Sequence, residues 1–498
     1  MKSINNSSYR QILRSTSIFG GVQVINVVIS LFRFKFLAVF LGPGGVGIIG
    51  LYTSALQLIT GIIDLGASTS GVRSVSAAIG DNNINNVRVT LAVIKRLAWI
   101  TGCVGTAIVF FFSGYLSKVT FGSDDYSFGL KCLSLTLLLV QLTNSNLVIL
   151  QGMRKLGQLA KANLIGNLLG VIFSLPLFYF FGSDGIVPAI LVSSVFTFVV
   201  VWFYSRQREY TPVRNLSHET FFIKSKEIIG LGVALSASNI LVLVCGYVFK
   251  IYLVKLGGVI DVGYYNAGYS IVNTYVGMVF TAMATDFFPR LSSTKDPLSF
   301  SNLVNQQGEI ALLIMGPLLI ILVTLVEQVV TVLYSTDFLT VVGMLKWCVL
   351  GLLFKALSWP VGFILLSKGE SKIFFLSEFI ANMYMLAFNL IGYYFWGLEG
   401  VGVSFLAAYM VYFAQILLIA RTRYAFRYGT KVILVFCLML ASLLAIVVFS
   451  FFLPIYYYYA FGAVLFLVAS VFSVQKINDQ MPIIQTLRAK FGNRKKHE

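Results

Sequence analysis

Nine ionisable side chains lie inside the long apolar runs of this 498-residue chain: the cations Arg33, Lys35, Lys250, Lys346 and Lys355, and the carboxylates Asp64, Glu309, Glu327 and Glu378. A charge kept in lipid is costly and marks a substrate or ion path by default. The excess of cations favours an anionic substrate. Asp64 and Glu378 suit either compensation of a buried cation or binding of H⁺ or Na⁺. Spacing limits what each side chain reaches. Arg33 and Lys35 are two residues apart, about 200° around a helix, so an undistorted helix cannot aim both at one cavity. Lys346 and Lys355 are nine apart, about 900°, and take opposite faces. Lys346, beside Trp347, reads as snorkelling to an interface, and Lys355 as the deeper cavity candidate. Glu327 falls near a helix end, where water reaches it.

Other chemistries lack their parts. The two histidines, His218 and His497, sit in polar stretches, and the five cysteines are scattered without a close pair, so no zinc site or disulfide framework is expected. The Gly42–Gly50 cluster is a tight turn and close packing; without a following Gly-Lys-Ser/Thr it is no phosphate loop.

The elements that must position these charges are membrane helices. The chain is 58% hydrophobic and 11% charged, against about 45–50% and 25% in soluble domains. That excludes a soluble enzyme, a secreted disulfide scaffold and a disordered chain. A crossing needs roughly 20 apolar residues, and spans are expected near 15–40, 46–65, 90–113, 127–150, 162–181, 185–204, 225–255, 263–285, 302–333, 339–366, 372–395, 400–420, 431–453 and 455–474. The first is too long for a signal-peptide core and reads as retained. Unpaired backbone is too costly in lipid for anything but helices here, so the expected fold class is an all-α polytopic membrane protein of about 14 transmembrane helices.

The net charge of +18 follows from orientation. With both termini cytoplasmic, only Lys118, Lys131 and Lys255 among the lysines and arginines fall outside, and five more lie at membrane depth. The rest gather on the inner side, as the positive-inside rule requires. Basic residues dispersed at helix ends exclude a nucleic-acid role.

The chain also repeats itself. Phe180-Phe-Gly-Ser-Asp-Gly-Ile matches Phe395-Trp-Gly-Leu-Glu-Gly-Val at an offset of 215. The same offset pairs Asn167 with Asn382, Arg206 with Arg421, Lys35 with Lys250, and Leu41-Gly42 with Leu256-Gly257. After one or two inserted residues, Arg73 pairs with Arg290. The expected organisation is therefore an N-terminal six-helix lobe (1–210), a cytoplasmic linker (211–224), a second six-helix lobe (225–425), two further helices (426–474) and a basic cytoplasmic tail (475–498). Six spans return the chain to its starting side, so the repeat is parallel; paired bundles of this kind carry substrate at their interface and rock around it.

Lys35-Phe-Leu-Ala-Val-Phe-Leu-Gly-Pro-Gly-Gly-Val-Gly, continuing to Gln57-Leu-Ile-Thr-Gly-Ile, resembles the first hairpin of O-antigen and polysaccharide-repeat flippases. These belong to the multidrug, oligosaccharidyl-lipid and polysaccharide exporter superfamily, whose MATE-like two-lobe pattern the chain resembles over about residues 10–425. The resemblance implies transfer of an undecaprenyl-pyrophosphate-linked oligosaccharide from the inner to the outer leaflet of a bacterial cytoplasmic membrane, by alternating access and without enzymatic chemistry or a bound cofactor. It leaves room for other polysaccharide-assembly proteins as partners.

On that reading Arg33, Lys35, Lys250 and Lys355 meet the pyrophosphate in a central cavity, since guanidinium and ammonium groups pair well with phosphate. Arg73 and Arg290, at the inner ends of helices 2 and 8, receive it from the inner leaflet or only anchor their helices. Asp64 and Glu378 couple H⁺ or Na⁺ or compensate charge. Asparagines at depth, Asn146, Asn167, Asn273 and Asn382 among them, bind sugar hydroxyls or join helices. The competing readings are a multidrug exporter of the same fold, which would favour an acidic cavity, and a polytopic O-antigen polymerase or ligase, which would want a longer outer loop than 114–126.

Overall fold

The computed structural model of the chain describes residues 2–480, apart from 82, 207–210, 214, 215 and 295; side chains are described from residue 25 onward, other than those of 231, 234, 235, 275, 285, 297 and 480. Most of the basic tail expected at 475–498, and part of the linker expected at 211–224, lie outside the described residues.

The described residues are predominantly helical, without a strand. They form two compact units. The first holds α1 (Lys2–Asp64), α2 (Ala67–Gly80), α3 (Ile84–Phe111), α4 (Ser113–Phe121), α5 (Ser127–Gly152), α6 (Leu156–Phe181), α7 (Ile186–Arg206) and α8 (His218–Tyr269) as far as Asn266, together with Leu333–Asp337. The second holds a π-helical turn (Ser270–Tyr275), α9 (Gly277–Ser293), α10 (Pro297–Thr324), α11 (Val326–Leu333) as far as Val332, α12 (Val341–Ser367), α13 (Ser371–Tyr424), α14 (Thr430–Phe449) and α15 (Ile455–Gln480).

Ten helical stretches among the described residues are long and apolar enough to cross a bilayer. Four of them, Ile25–Asp64, Leu156–Arg206, Ser236–Ser293 and Ser371–Tyr424, run 40 to 58 residues, at least twice what one crossing takes. Each is broken near its middle by glycine. Gly42 (φ 61°, ψ −169°) breaks α1 and Gly258 (φ 79°, ψ −176°) breaks α8. Gly182 (φ 54°, ψ −130°) separates α6 from α7, and Gly397 (φ 57°, ψ −141°) breaks α13. These conformations admit essentially only glycine. The α8 break falls on Gly258, one residue past the Gly257 that the 215-residue offset pairs with Gly42.

The expected span 302–333 is not one helix. It ends at Thr324, and α11 starts afresh at Val326. The span 46–65 likewise stops at Asp64, because Leu65 (φ 48°) and Gly66 (φ 70°) both take the left-handed conformation. Arg73 therefore sits on a separate helix, α2.

Each unit has its own apolar core. In the first, Val75 of α2, Leu91 and Val93 of α3, Ile149 of α5 and Ile228 of α8 pack together. In the second, Phe287 and Leu291 of α9 meet Val304 of α10, Val361 of α12 and Ile416 of α13. The second leg of α1 lies close against the end of α8. A Cβ on Gly47 would stand 2.0 Å from the Val259 carbonyl oxygen, and one on Gly263 1.9 Å from that of Pro43. The glycine cluster after residue 42 thus serves both the turn and this approach.

Candidate functional site

In the first unit, two lysines carry their charge into apolar helix. Lys35, seven residues before the α1 break, stands roughly 10 Å along the helix from it, and Lys250 about 12 Å from the α8 break. Lys35 Nζ donates to the Tyr334 carbonyl at 2.6 Å. Lys250 Nζ donates to Ser54 Oγ at 2.5 Å, and Ser54 Oγ donates in turn to the Gly50 carbonyl at 2.5 Å. Lys250 is half-buried and Ser54 buried. The partner of Lys250 is neutral, so its charge is solvated by a dipole without being cancelled. Three residues before it on the same helix face, Tyr247 shares a 2.5 Å hydrogen bond with Thr120. Arg33 is half-buried on another face of α1 from Lys35, with no hydrogen bond or ion pair among the described residues.

In the second unit, Lys355 of α12 donates to Asn273 Oδ1 at 3.2 Å. Its ammonium lies 5.4 Å from the centre of the Tyr409 ring and 5.7 Å from that of Phe280, within cation–π reach of both. Asn273 is carried by the π-helical turn, a helix distortion frequent at functional sites. Next to Tyr409, at 6.3 Å between ring centres, stands Tyr412, whose hydroxyl donates to Glu378 Oε1 at 2.7 Å. Gln415, one turn on, donates to Ser377 Oγ at 2.8 Å. Two hydrogen bonds, Lys355–Asn273 and Tyr412–Glu378, are thus linked through the Tyr409 ring across α12, both legs of α13 and the π turn.

Among the described residues, Asp64 and Glu378 do not meet the cations in the apolar helices. Asp64 accepts from Ser68 N at 3.2 Å and Ser68 Oγ at 2.7 Å, closing the first turn of α2. Glu378 is taken by Tyr412. Neither lies within salt-bridge distance of a cation among the described residues. Arg290 pairs with Asp286 one turn earlier on α9 at 3.0 Å, both exposed, and Arg73 is exposed on α2. Lys346 lies 5.4 Å from the Phe451 ring, among aromatics as expected. No cluster of three metal-ligating side chains occurs among the described residues.

Sequence reasoning passed over Ser54, Tyr409 and Tyr412. The signal for the tyrosines was available, since an i, i+3 pair shares one helix face. Nothing in the sequence pointed to Ser54, whose role comes from a partner on α8.

This fold is that of MATE-like multi-pass membrane transporters. It matches a solved lipid II flippase MurJ in an inward closed conformation at a TM-score of 0.72, with 13% identity over 94% of this chain and 99% of that one. It also matches an inward-facing multidrug resistance MATE family transporter at 0.70, with 16% identity over 81% of this chain and 94% of the other. A curated relative from Shigella flexneri, named "Putative O-antigen transporter", is 25% identical over 391 residues, 76% of this chain and 90% of its own length. The sequence pattern of the polysaccharide biosynthesis protein family covers residues 36–343, and the chain belongs to that family. It is a membrane transporter of polysaccharide biosynthesis, not an enzyme.

Proposed function

We propose that the protein flips an undecaprenyl-pyrophosphate-linked oligosaccharide, an O-antigen or related repeat unit, from the inner to the outer leaflet of the cytoplasmic membrane. The observation that carries this reading is the environment of Lys250 and Lys355: two cations in apolar helices whose hydrogen-bond partners are a hydroxyl and an amide. A charged side chain at the bilayer centre costs about 2.5–3.5 kcal/mol on insertion scales, and no carboxylate among the described residues pairs with either. An anionic pyrophosphate would. The family match supports the polysaccharide class over drug export, for which an acidic cavity would be expected. The MurJ-like fold supports handling of a polyprenyl-linked substrate.

In this reading the chain crosses the membrane about fourteen times, each long broken helix supplying two legs. Both termini are cytoplasmic, and two six-helix lobes alternate access. The shared conformations of Gly42 with Gly258, and of Gly182 with Gly397, support the repeat. Lys35 and Lys250 in the first unit, and Lys355 in the second, supply the positive charge offered to the substrate, Arg33 stands apart from them on another face of α1, and Arg73 and Arg290 are the candidates for the inner entrance. The Tyr412–Glu378 pair is the coupling candidate for H⁺ or Na⁺, and Asp64 supports the α2 entry. The deciding experiment is transport of labelled polyprenyl-pyrophosphate oligosaccharide in reconstituted vesicles by the wild type, Lys35→Ala, Lys250→Ala and the double variant. Unchanged transport in all three ends the cationic-cavity reading.

A further inference from the structure

In the second unit, Glu309 of α10 is only 7% exposed, yet its carboxylate makes no hydrogen bond or ion pair among the described residues. It lines a cavity of about 670 Å³ between the start of α10 and the start of α14. Gln306 and Asn302, one and two turns earlier on the same face of α10, extend that wall, and Thr430 and Lys431 of α14 line it as well. A buried charge without a partner is costly, so the cavity is suited to a cation. Its walls are joined independently of any ligand. Asn305 accepts from Gly429 N at 2.7 Å through Oδ1 and donates through Nδ2 to the Arg427 carbonyl at 3.3 Å. Tyr428, between those two, donates to the Leu357 carbonyl at 2.7 Å, and its ring would stand 2.9 Å from a Cβ on Gly308.

The α14 side of the cavity is positive. Gly429 caps this 20-residue helix without a side-chain hydrogen bond, which leaves amides of the first turn open to an anion. Lys431, exposed beside them, makes no hydrogen bond or ion pair among the described residues. Beyond the first turn, one face of α14 is a greasy strip. Ile433, Leu434, Leu438, Leu444 and Val448 are 41–61% exposed, along about 22 Å at 1.5 Å per residue. An unpaired carboxylate, a positive helix start and an apolar strip therefore adjoin one another. A ligand that satisfies all three carries a cation, an anion and a hydrocarbon tail.

We propose that this cavity binds the headgroup of phosphatidylethanolamine. The primary ammonium donates to Glu309, the phosphate meets Lys431 and the first amides of α14, and the acyl chains follow the exposed face of α14. Only the assignment of this end to the inner leaflet rests on the flippase reading. A bare metal cation would use Glu309 but neither the open amides nor the strip. An anionic phospholipid would set a second negative charge before Glu309. A quaternary ammonium has no N–H to donate and is ordinarily taken by aromatic faces, of which the described lining has none. A bound headgroup would bridge α10 to α14, so the phosphatidylethanolamine content of the membrane would act on that junction.

The test is lipid retention by the purified full chain, read by native mass spectrometry, with phosphatidylethanolamine, phosphatidylglycerol and phosphatidylcholine offered together. The wild type is expected to retain phosphatidylethanolamine preferentially. Glu309→Gln removes the charge that the ammonium meets and should weaken that retention about tenfold. Lys431→Gln should weaken it roughly fivefold. Equal retention of the three lipids by the wild type, an undiminished preference in folded Glu309→Gln, or unchanged retention in Lys431→Gln overturns the proposal. So does displacement of the lipid by soluble O-phosphoethanolamine, which would make the cavity a site for a small zwitterion. Should Glu309→Gln not fold, N-methylation decides on the wild type. Retention must fall from phosphatidylethanolamine through its monomethyl and dimethyl forms to phosphatidylcholine, and a flat series overturns the proposal. Because the readout is binding, its failure leaves the transport assay untouched, and the reverse holds as well.

Discussion

Lys250 of α8 donates its hydrogen bond to Ser54, a residue on the second leg of α1 and 196 positions earlier in the chain. The bond joins the two broken helices of the first unit at the depth of the ammonium and passes on to the Gly50 carbonyl. Replacing Ser54 by Ala removes the only acceptor described for a half-buried cation. Hydrogen bonds to charged groups contribute about 1.5–3 kcal/mol. We expect Ser54→Ala to lower the melting temperature in detergent, and Ser54→Thr to restore it. A Ser54→Ala protein as stable as the wild type would mean the ammonium finds solvent instead.

The Tyr412–Glu378 bond invites a different measurement. Glu378→Gln keeps the shape and a hydrogen-bonding group while removing the titratable carboxyl. Transport driven by an imposed pH or Na⁺ gradient should then lose its gradient dependence, with exchange at zero gradient kept within a few-fold. Tyr412→Phe should give the same defect in weaker form. Full gradient stimulation in Glu378→Gln would remove the residue from coupling.

Two glycines separate conformational from steric cost. At Gly42 an added Cβ meets nothing within 4 Å, so Gly42→Ala costs only the strained backbone, of order 1–3 kcal/mol. At Gly47 the added atom would be 2.0 Å from the Val259 carbonyl oxygen, and the helices must part. Gly47→Ala should therefore be the more damaging, as expression and melting temperature would reveal. The opposite ranking would contradict the close approach of α1 and α8.

Outside the bilayer, Asp296 caps α10. Hydrogen bonds from the side chain and backbone of Ser299, the latter at 2.8 Å, hold its carboxyl below the ordinary range. A group with a depressed folded value stabilises above its unfolded value, near 3.8, and loses that contribution as pH falls through the folded one. Asp296→Ala should accordingly cost stability at pH 7, and that cost should shrink as pH is lowered below about 3.8 in a thermal melt. A penalty that persists at low pH would assign the effect to helix propensity.

The apolar runs located the helices because period and length survive in one dimension. The expected spans 127–150, 185–204 and 431–453 lie close to Ser127–Gly152, Ile186–Arg206 and Thr430–Phe449. Continuity across Gly42 was not legible, since a glycine-proline pair reads equally as a loop or as one bent helix. The break at Leu65 was hidden because a leucine gives no sign of a left-handed backbone. In the site, the charged residues were visible by cost, whereas their partners were not. Ser54 and Tyr412 are ordinary residues until tertiary packing sets a lysine or a carboxylate beside them.

The order in which partners are made differs between the paired lysines. When Lys250 is synthesised, Ser54 is already in place. Lys35 must wait for Tyr334, which follows it by 299 residues. At about 5–20 residues per second, the first helix spends roughly 15–60 seconds of its biogenesis before that acceptor emerges from the ribosome. The Lys35–Tyr334 bond is therefore a late closure of biogenesis, made after most of the first unit has left the ribosome, whereas the Lys250–Ser54 bond can form as soon as α8 arrives.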